Sequence, residues 1–101
     1  MIKLIVTADN NLFERLCAKP QNRPDTCLHA TNVLDAHRLA MSRQVDEIVV
    51  DISLHAADTL VETLHSRPAT SDIPVYLVEC GERVPFALRR LCTDILEADA
   101  L

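Results

Sequence analysis

The sequence contains a single glycine, Gly81, among its 101 residues. Neither the G-x-G-x-x-G pattern nor a P-loop is present, so dinucleotide or nucleotide binding on a glycine-rich turn is excluded. No apolar run is long enough to cross a bilayer. The opening residues read as a strand followed by an acid, without the basic segment and cleavage site of a signal peptide. We therefore expect a cytoplasmic domain with no membrane partner.

Positive charge is also scarce. Ten Lys and Arg residues stand against fifteen Asp and Glu, which gives a net charge of −5, and only Arg89 and Arg90 are adjacent. Without a basic stripe for the phosphate backbone, direct nucleic-acid binding is not expected.

Zinc-ligand and C-x-x-C spacings are missing as well, so the four cysteines are interpreted as free thiols without a metal or redox role: Cys17, Cys27, Cys80 and Cys92.

The composition is that of a globular protein, with 49% apolar and 25% charged residues. A chain of this length forms one domain, which we place at residues 1–101, and it shows no internal repeat or low-complexity tract. Apolar periodicity predicts strands at 2–6, 25–30, 46–51, 75–79 and 93–98 and helices at 12–19, 33–43, 56–67 and 84–91. In the second helix, the stripe expected to face the core comprises Val33, Ala36, Ala40 and Met41.

Strands and helices alternate strictly with short connections, which indicates a parallel sheet with helices on both faces. We expect a doubly wound, flavodoxin-like sheet of five strands in the order 2-1-3-4-5. In such sheets the functional crevice lies at the C-terminal ends of the strands. Asp9, Asp51 and Glu79 all fall at that edge. Asp51 closes a buried β-branched strand, where a carboxylate is costly unless it is hydrated, paired, bound to a cation or used in chemistry.

The stretch VDEIVVDISLHAADTLVETLHSRPATSDIPVYLVE resembles the part of bacterial response regulator receiver domains that runs from strand 3 to strand 4. IKLIVTADNNLFERL is similar to the opening strand, acidic turn and first helix of that family, so the resemblance covers almost the whole chain. It implies a CheY-like fold. It also places Asp51 at the phospho-accepting position, with Mg²⁺ held by Asp9, Asp51 and the backbone carbonyl of Ser53.

Other positions of the family pattern are altered. The first acid of the metal pair falls on Ala8, the switch Ser or Thr on Glu79, and the lysine after strand 5 on Ala98. These changes remove a ligand, a hydroxyl donor and a cation, and they add a carboxylate, so stable phosphorylation looks disfavoured. The helix after strand 4 is shortened and the last helix of the family is missing. We expect a partner, a dimer mate or a longer parent protein to cover that face.

The sequence leaves more than one interpretation open for three of these residues. Asp51 is a phospho-acceptor, a silent remnant of one, or a turn carboxylate, and the remnant is our preferred interpretation. Glu79 either stands in for the switch hydroxyl or a phosphate, or is a solvated residue at a strand end. Asp9 either supports a weak cation site or caps the first helix.

The sequence therefore predicts a degenerate receiver, or pseudo-receiver, of a bacterial regulatory pathway that acts by protein–protein contact and is not an enzyme. No cofactor is required, although Mg²⁺ binding stays open. The predicted contact residues around the fourth helix are Phe86, Leu88, Arg89 and Arg90, although packing is the simpler interpretation of Phe86 and of Tyr76. Two alternatives remain: a true receiver phosphorylated on Asp51 with Mg²⁺, and a structural wing domain of a larger enzyme such as a basic-amino-acid decarboxylase.

Overall fold

The computed structural model describes residues 2–17, 26–42, 44–79 and 83–98. Five strands form one parallel sheet in the order β2-β1-β3-β4-β5, as the sequence predicts. The elements in chain order are β1 Ile2–Val6, α1 Asn10–Cys17, β2 Thr26–Ala30, α2 Val33–Ser42, β3 Glu47–Asp51, α3 Ala57–Ser66, β4 Val75–Glu79, α4 Phe86–Arg89 and β5 Asp94–Glu97.

The sheet is covered on both faces, which is why its central strands are continuous apolar runs. On one face, Leu4, Val6 and Ile48 pack with the inward side chains of α2, α3 and α4. On the other face, Ile5 and Val49 pack beneath α1, with Val78, Leu12 and Leu16 in the same cluster. Alternate residues of each strand thus serve opposite cores, and their burial supplies most of the stabilisation.

Polar side chains fix where the first two helices begin. Asp9 Oδ1 accepts hydrogen bonds from the backbone N–H groups of Asn11 and Leu12, at 2.9 and 3.3 Å, so α1 begins at residue 10 rather than at 12 as predicted. Asn32 Oδ1 accepts from the N–H of Asp35 at 2.9 Å and caps α2 at residue 33, where the sequence predicts that the helix begins. The predicted residues 18–19, 25 and 43 of neighbouring elements lie outside the described part.

Two predictions about the helices need correction: which residues of α2 face the core, and how long the fourth helix is. Met41 is exposed, because it lies in the last turn of α2, whereas Ala36 and Ala40 of the same predicted stripe are buried. The fourth helix, predicted over 84–91, is a single turn, Phe86–Arg89. The N–H groups of Leu88 and Leu91 bond to carbonyls three residues back, whereas that of Arg89 bonds to the carbonyl of Pro85, four residues back, so tight and α-helical bonds mix in this one turn.

Two further observations concern the helices as a set. In the described residues no helix follows β5, which ends at Glu97. No helix within the described ranges is long and apolar enough to cross a membrane.

Candidate functional site

Three residues at the C-terminal ends of three neighbouring strands lie at the crevice expected of this topology. Asp51 is the last residue of β3 and Glu79 the last of β4, and Thr7 directly follows β1. We call this part of the sheet the carboxyl edge. Because β1, β3 and β4 are adjacent and parallel, their C-terminal ends open on the same side.

Asp51 is only 5% exposed, and both of its carboxylate oxygens receive hydrogen bonds from this chain. Thr7 Oγ1 donates to Oδ2 at 2.8 Å. Ser53 donates twice to Oδ1, from its hydroxyl at 2.7 Å and from its backbone N–H at 2.9 Å. Three donors offset the cost of burying the carboxylate, so it is stabilised without a cation.

Thr7 is itself held firmly at the end of β1. It is fully buried, and its N–H donates to the carbonyl of Ala30 at 2.9 Å. Its carbonyl lies 2.8 Å from Nε2 of His29, and because a carbonyl only accepts, that nitrogen carries the hydrogen. The His29 ring stacks on Phe13, with centroids 4.1 Å apart. The hydroxyl of Thr7 is therefore presented to Asp51 from a fixed backbone.

Asp9 is exposed and caps α1 through Oδ1. Its backbone N–H donates to Thr7 Oγ1 at 3.1 Å, so the Thr7 hydroxyl accepts one hydrogen bond and donates another. Of the two interpretations that the sequence leaves open for Asp9, the helix cap is present in the structure. Its connection to Asp51 runs through Thr7.

Glu79 turns toward the connection between β4 and α4. Its Oε1 accepts from the N–H of Val84 at 3.1 Å and lies 3.4 Å from Nη2 of Arg89. Arg89 Nε in turn donates to the carbonyl of Val84 at 3.2 Å. Glu79 is therefore not a simple solvated residue at a strand end. Its partners among the described residues are Val84 and Arg89 rather than Asp51. Glu79 links the end of β4 to α4.

The remaining family positions carry small apolar side chains. Ala8 is exposed beside Asp9, and Ala98 is buried directly after β5. The carbonyl of Ala98 accepts a hydrogen bond from Nη1 of Arg15, on α1, at 3.1 Å. Methyl groups therefore stand where the family pattern has a carboxylate and an ammonium group.

The residues predicted to hold Mg²⁺ offer few unoccupied carboxylate positions to such an ion. A hard octahedral cation takes oxygen ligands, whereas both oxygens of Asp51 and one oxygen of Asp9 already accept hydrogen bonds from the chain. The backbone carbonyl of Ser53, the third predicted ligand, stays a prediction, and the N–H and hydroxyl of the same residue face Asp51. Within residues 2–17, 26–42, 44–79 and 83–98, no three carboxylate, imidazole or thiol side chains are grouped so that they could hold a metal.

The predicted contact residues of α4 separate into two groups. Phe86 is 78% exposed, and Arg89 and Arg90 are exposed beside it. Leu88 is only 4% exposed and belongs to the core under α3, so it supports the surface from below rather than lying on it. Tyr76 packs half-buried on the α1 face, as its simpler interpretation predicts, but Phe86 does not pack in the core.

Sequence reasoning missed Thr7 and Arg89 as partners of the two edge carboxylates. A threonine that ends an apolar strand two residues before an acid is a usable signal, because its side chain points to one face of the sheet at the edge. The ten-residue separation of Glu79 and Arg89 has no periodicity that would reveal it.

No protein-family model matches the sequence, and no curated protein matches it. Solved structures do match over nearly the whole chain. A putative response regulator from Chloroflexus aurantiacus J-10-fl has a TM-score of 0.82 at 19% identity, with 95% of this chain and 83% of that chain covered. A CheY-like receiver domain from Methylobacillus flagellatus gives 0.80 at 18%, covering 96% and 85%. The N-terminal domain of a receiver protein from Methanoculleus marisnigri JR1 gives 0.79 at 16%, covering 95% and 82%.

These matches establish the class of fold. The chain has the CheY-like fold of response regulator receiver domains, as the resemblance of its sequence implies.

Proposed function

We propose that this chain is a degenerate receiver domain that signals through protein–protein contact while Asp51 stays unphosphorylated. One observation carries the proposal: both carboxylate oxygens of the buried Asp51 accept hydrogen bonds from Thr7 and Ser53. A carboxylate that attacks a phosphoryl group needs an accessible oxygen with a free lone pair and nearby positive charge. Here the carboxylate is buried, three of its roughly four lone-pair positions accept hydrogen bonds, and the donors are neutral.

The altered neighbours support the same conclusion. A phosphorylated aspartate would add a group with roughly −1.5 to −2 charges at neutral pH if it resembles other phosphorylated residues. Hydroxyl donors stabilise an anion but do not offset that charge, and the lysine position is the buried Ala98. The switch position is a further carboxylate, Glu79, already bound to Arg89. Within the described residues, the surroundings of Asp51 thus lack the groups that would favour a phosphorylated state.

In this proposal Glu79 holds the contact surface around α4 in place, and no phosphorylation is needed for this. Its bonds to Val84 N–H and Arg89 tie the end of β4 to residues just before and within α4. These contacts orient α4, around which Phe86, Arg89 and Arg90 face the solvent. A protruding aromatic flanked by guanidinium groups is typical of the central residues of protein interfaces. The proposed ligand of this surface is a protein partner or a second copy of the chain.

The test is an amide NMR titration of the ¹⁵N-labelled chain, first with Mg²⁺ and then with Mg²⁺ plus beryllofluoride, which mimics an aspartyl phosphate. We expect no saturable shifts at Asp9, Asp51 or Ser53 in the wild type at millimolar concentrations. The Asp51→Asn variant gives the background of non-specific shifts. The positive comparison is a variant in which Ala8→Asp, Glu79→Thr and Ala98→Lys restore the family groups and Thr7→Val removes the hydroxyl that binds Asp51.

Saturable wild-type shifts that vanish in Asp51→Asn would overturn the proposal and identify a phosphorylation-dependent receiver. A flat wild-type titration beside a responding restored variant would support it directly, because the same fold would then differ only in these four side chains.

A further inference from the structure

A small pocket lies between the turn that follows β3, the first turn of α3 and the single turn of α4. Its volume is about 180 Å³. Pockets for drug-sized ligands measure roughly 300–1,000 Å³, so this one suits a smaller molecule. Ile52 and Leu54 line it from the turn, Ala57 from α3 and Leu88 from α4. All four side chains are buried or half-buried, so the inner part of the pocket is apolar.

Two side chains of opposite charge also line this pocket. Asp58 belongs to the first turn of α3, and Arg83 precedes α4. Both are exposed, whereas the four apolar residues are not, so the charges lie at the outer rim. Within the described part of the chain, neither Asp58 nor Arg83 forms a salt bridge. A carboxylate and a guanidinium group are therefore both available to a ligand that enters between them.

A ligand that matches this arrangement carries a positive group, a negative group and an apolar body within a few atoms of each other. A free α-amino acid does so. Its ammonium group can pair with Asp58, and its carboxylate can accept the two parallel hydrogen bonds that the guanidinium group of Arg83 offers. An apolar side chain can then lie against Leu54 and Leu88. A fatty acid or an alkylamine would match only one of the two charges.

We propose that this pocket binds an apolar α-amino acid, with its ammonium group at Asp58, its carboxylate at Arg83 and its side chain in the apolar part. The site goes beyond the proposed signalling function. It does not depend on the state of Asp51, because none of the residues that line it donates to that carboxylate. Leu88 belongs to α4, so an occupied pocket would touch the underside of the contact surface, a consequence that rests on the proposed function.

The test is an amide NMR titration of the full ¹⁵N-labelled chain with L-leucine as the probe. We expect shifts at Leu54, Asp58, Arg83 and Leu88 that saturate at or below about 10 mM. Three further probes each lack one part of leucine. 4-Methylpentanoate lacks the ammonium group and isopentylamine lacks the carboxylate, so each should bind at least about threefold more weakly. Glycine lacks the apolar side chain and should bind at least about tenfold more weakly.

Two variants test the charged groups. Asp58→Asn and Arg83→Gln should each weaken leucine binding about threefold or more, because each removes one charge from an exposed side chain. Asp58→Asn should leave the binding of 4-methylpentanoate unchanged, and Arg83→Gln that of isopentylamine, because each of these probes lacks the group that the altered residue binds. The matched controls are Glu62→Gln and Arg67→Gln, which neutralise exposed charges outside the pocket and should keep the wild-type affinity.

Four results would overturn the proposal. The first is a wild-type chain without saturable shifts up to about 50 mM leucine. The second is equal binding of leucine and its two truncated analogues, which would show an apolar pocket without charge recognition. The third is an equal loss in Asp58→Asn and Glu62→Gln, which would assign the effect to net charge. The fourth is a set of pocket shifts that depends on the concentration of the chain alone, because a second copy would then occupy the pocket.

The outcome of this titration is separate from that of the phosphorylation test. Leucine binding is read at the residues of the pocket, whereas the beryllofluoride titration is read at Asp9, Asp51 and Ser53. A chain that fails one test can therefore still pass the other.

Discussion

At the scale of single residues, Thr7 and Asp51 form a buried donor–acceptor pair at the end of two adjacent strands. The hydroxyl performs part of the task that a cation performs in the family pattern, because it satisfies one oxygen of the carboxylate. It does so without bringing a charge into the site. The result is a polar network in which each oxygen of Asp51 has a donor from the described residues.

Replacing Thr7 by the nearly isosteric valine should lower the free energy of unfolding by about 1–3 kcal/mol, because Asp51 Oδ2 would lose its donor while staying buried. Urea unfolding followed by circular dichroism measures this change. The matched control is Thr26→Val on the exposed edge of β2, for which we expect a change within about 0.5 kcal/mol. Equal effects of the two substitutions would contradict a special role for the Thr7 hydroxyl.

Residue-level prediction from the sequence was uneven for a physical reason. The position of Asp51 at the end of β3 followed from the β-branched run before it, and that of Glu79 followed from the apolar run of β4 that it ends. The direction of each carboxylate did not follow, because it depends on donors that are distant along the chain. Thr7 and Asp51 are 44 residues apart, and Glu79 and Arg89 are 10 apart.

At the scale of elements, the turn between β3 and α3 brings Asp51 next to its donors. The N–H of Leu54 bonds to the carbonyl of Asp51 at 3.2 Å, and that of Ala57 bonds to Leu54 at 3.1 Å. The chain then enters α3 through Ala56, whose φ of 62° and ψ of 21° lie in the left-handed region. Residues with a Cβ atom are strained there.

Substituting Ala56 by glycine should therefore raise the free energy of unfolding by about 0.5–1 kcal/mol, because glycine adopts a positive φ without steric cost. Thermal and urea unfolding give the measurement. Ala87→Gly in the exposed turn α4 is the comparison, since φ is helical there and glycine should lower stability by about 0.5–1 kcal/mol. A destabilised Ala56→Gly variant would show that the left-handed turn is not strained.

The elements that the sequence predicted well are those with a strong apolar period. The strands and α3 agree within two residues at each end because their buried positions repeat regularly. The fourth helix was predicted too long because Leu88 and Leu91 fit a helical face, while the turn-like hydrogen bonds around Pro85 and Leu88 depend on packing under α3. Periodicity reports which residues face inward and not how long the element continues.

At the scale of the whole molecule, the surface around α4 carries several arginines on an acidic protein. The chain has a net charge of −5, yet Arg83, Arg89 and Arg90 are exposed in the same stretch as Phe86, with Arg89 paired to Glu79. A local basic surface on an acidic protein orients an approaching acidic partner and raises the rate of encounter. The order of the strands in the sheet was predictable from the alternation of strands and helices along the chain. The surface around α4 was only partly predictable, because the burial of Leu88 and the exposure of Phe86 depend on how one helical turn lies on the core.

Replacing Phe86 by serine should weaken binding of the partner by about tenfold or more, equivalent to about 1.4 kcal/mol, and leave the unfolding free energy within about 0.5 kcal/mol of the wild type. Sedimentation velocity tests self-association first. For a different protein, affinity is measured with the partner recovered by cross-linking and mass spectrometry.

Leu34→Ser is the control, since Leu34 is 68% exposed on α2 and belongs to another surface. Asp51→Asn should also keep the affinity of the wild type. Equal losses from Phe86→Ser and Leu34→Ser would argue against α4 as the contact surface.

The hydroxyl of Thr7 also limits what single substitutions can achieve at the carboxyl edge. An aspartate introduced at position 8, or a lysine at position 98, would meet a carboxylate whose Oδ2 still accepts the hydrogen bond from Thr7. Removing that hydroxyl alone would leave a buried carboxylate oxygen without its donor, at a cost in stability. The effects of substitutions at these three positions should therefore be coupled rather than additive.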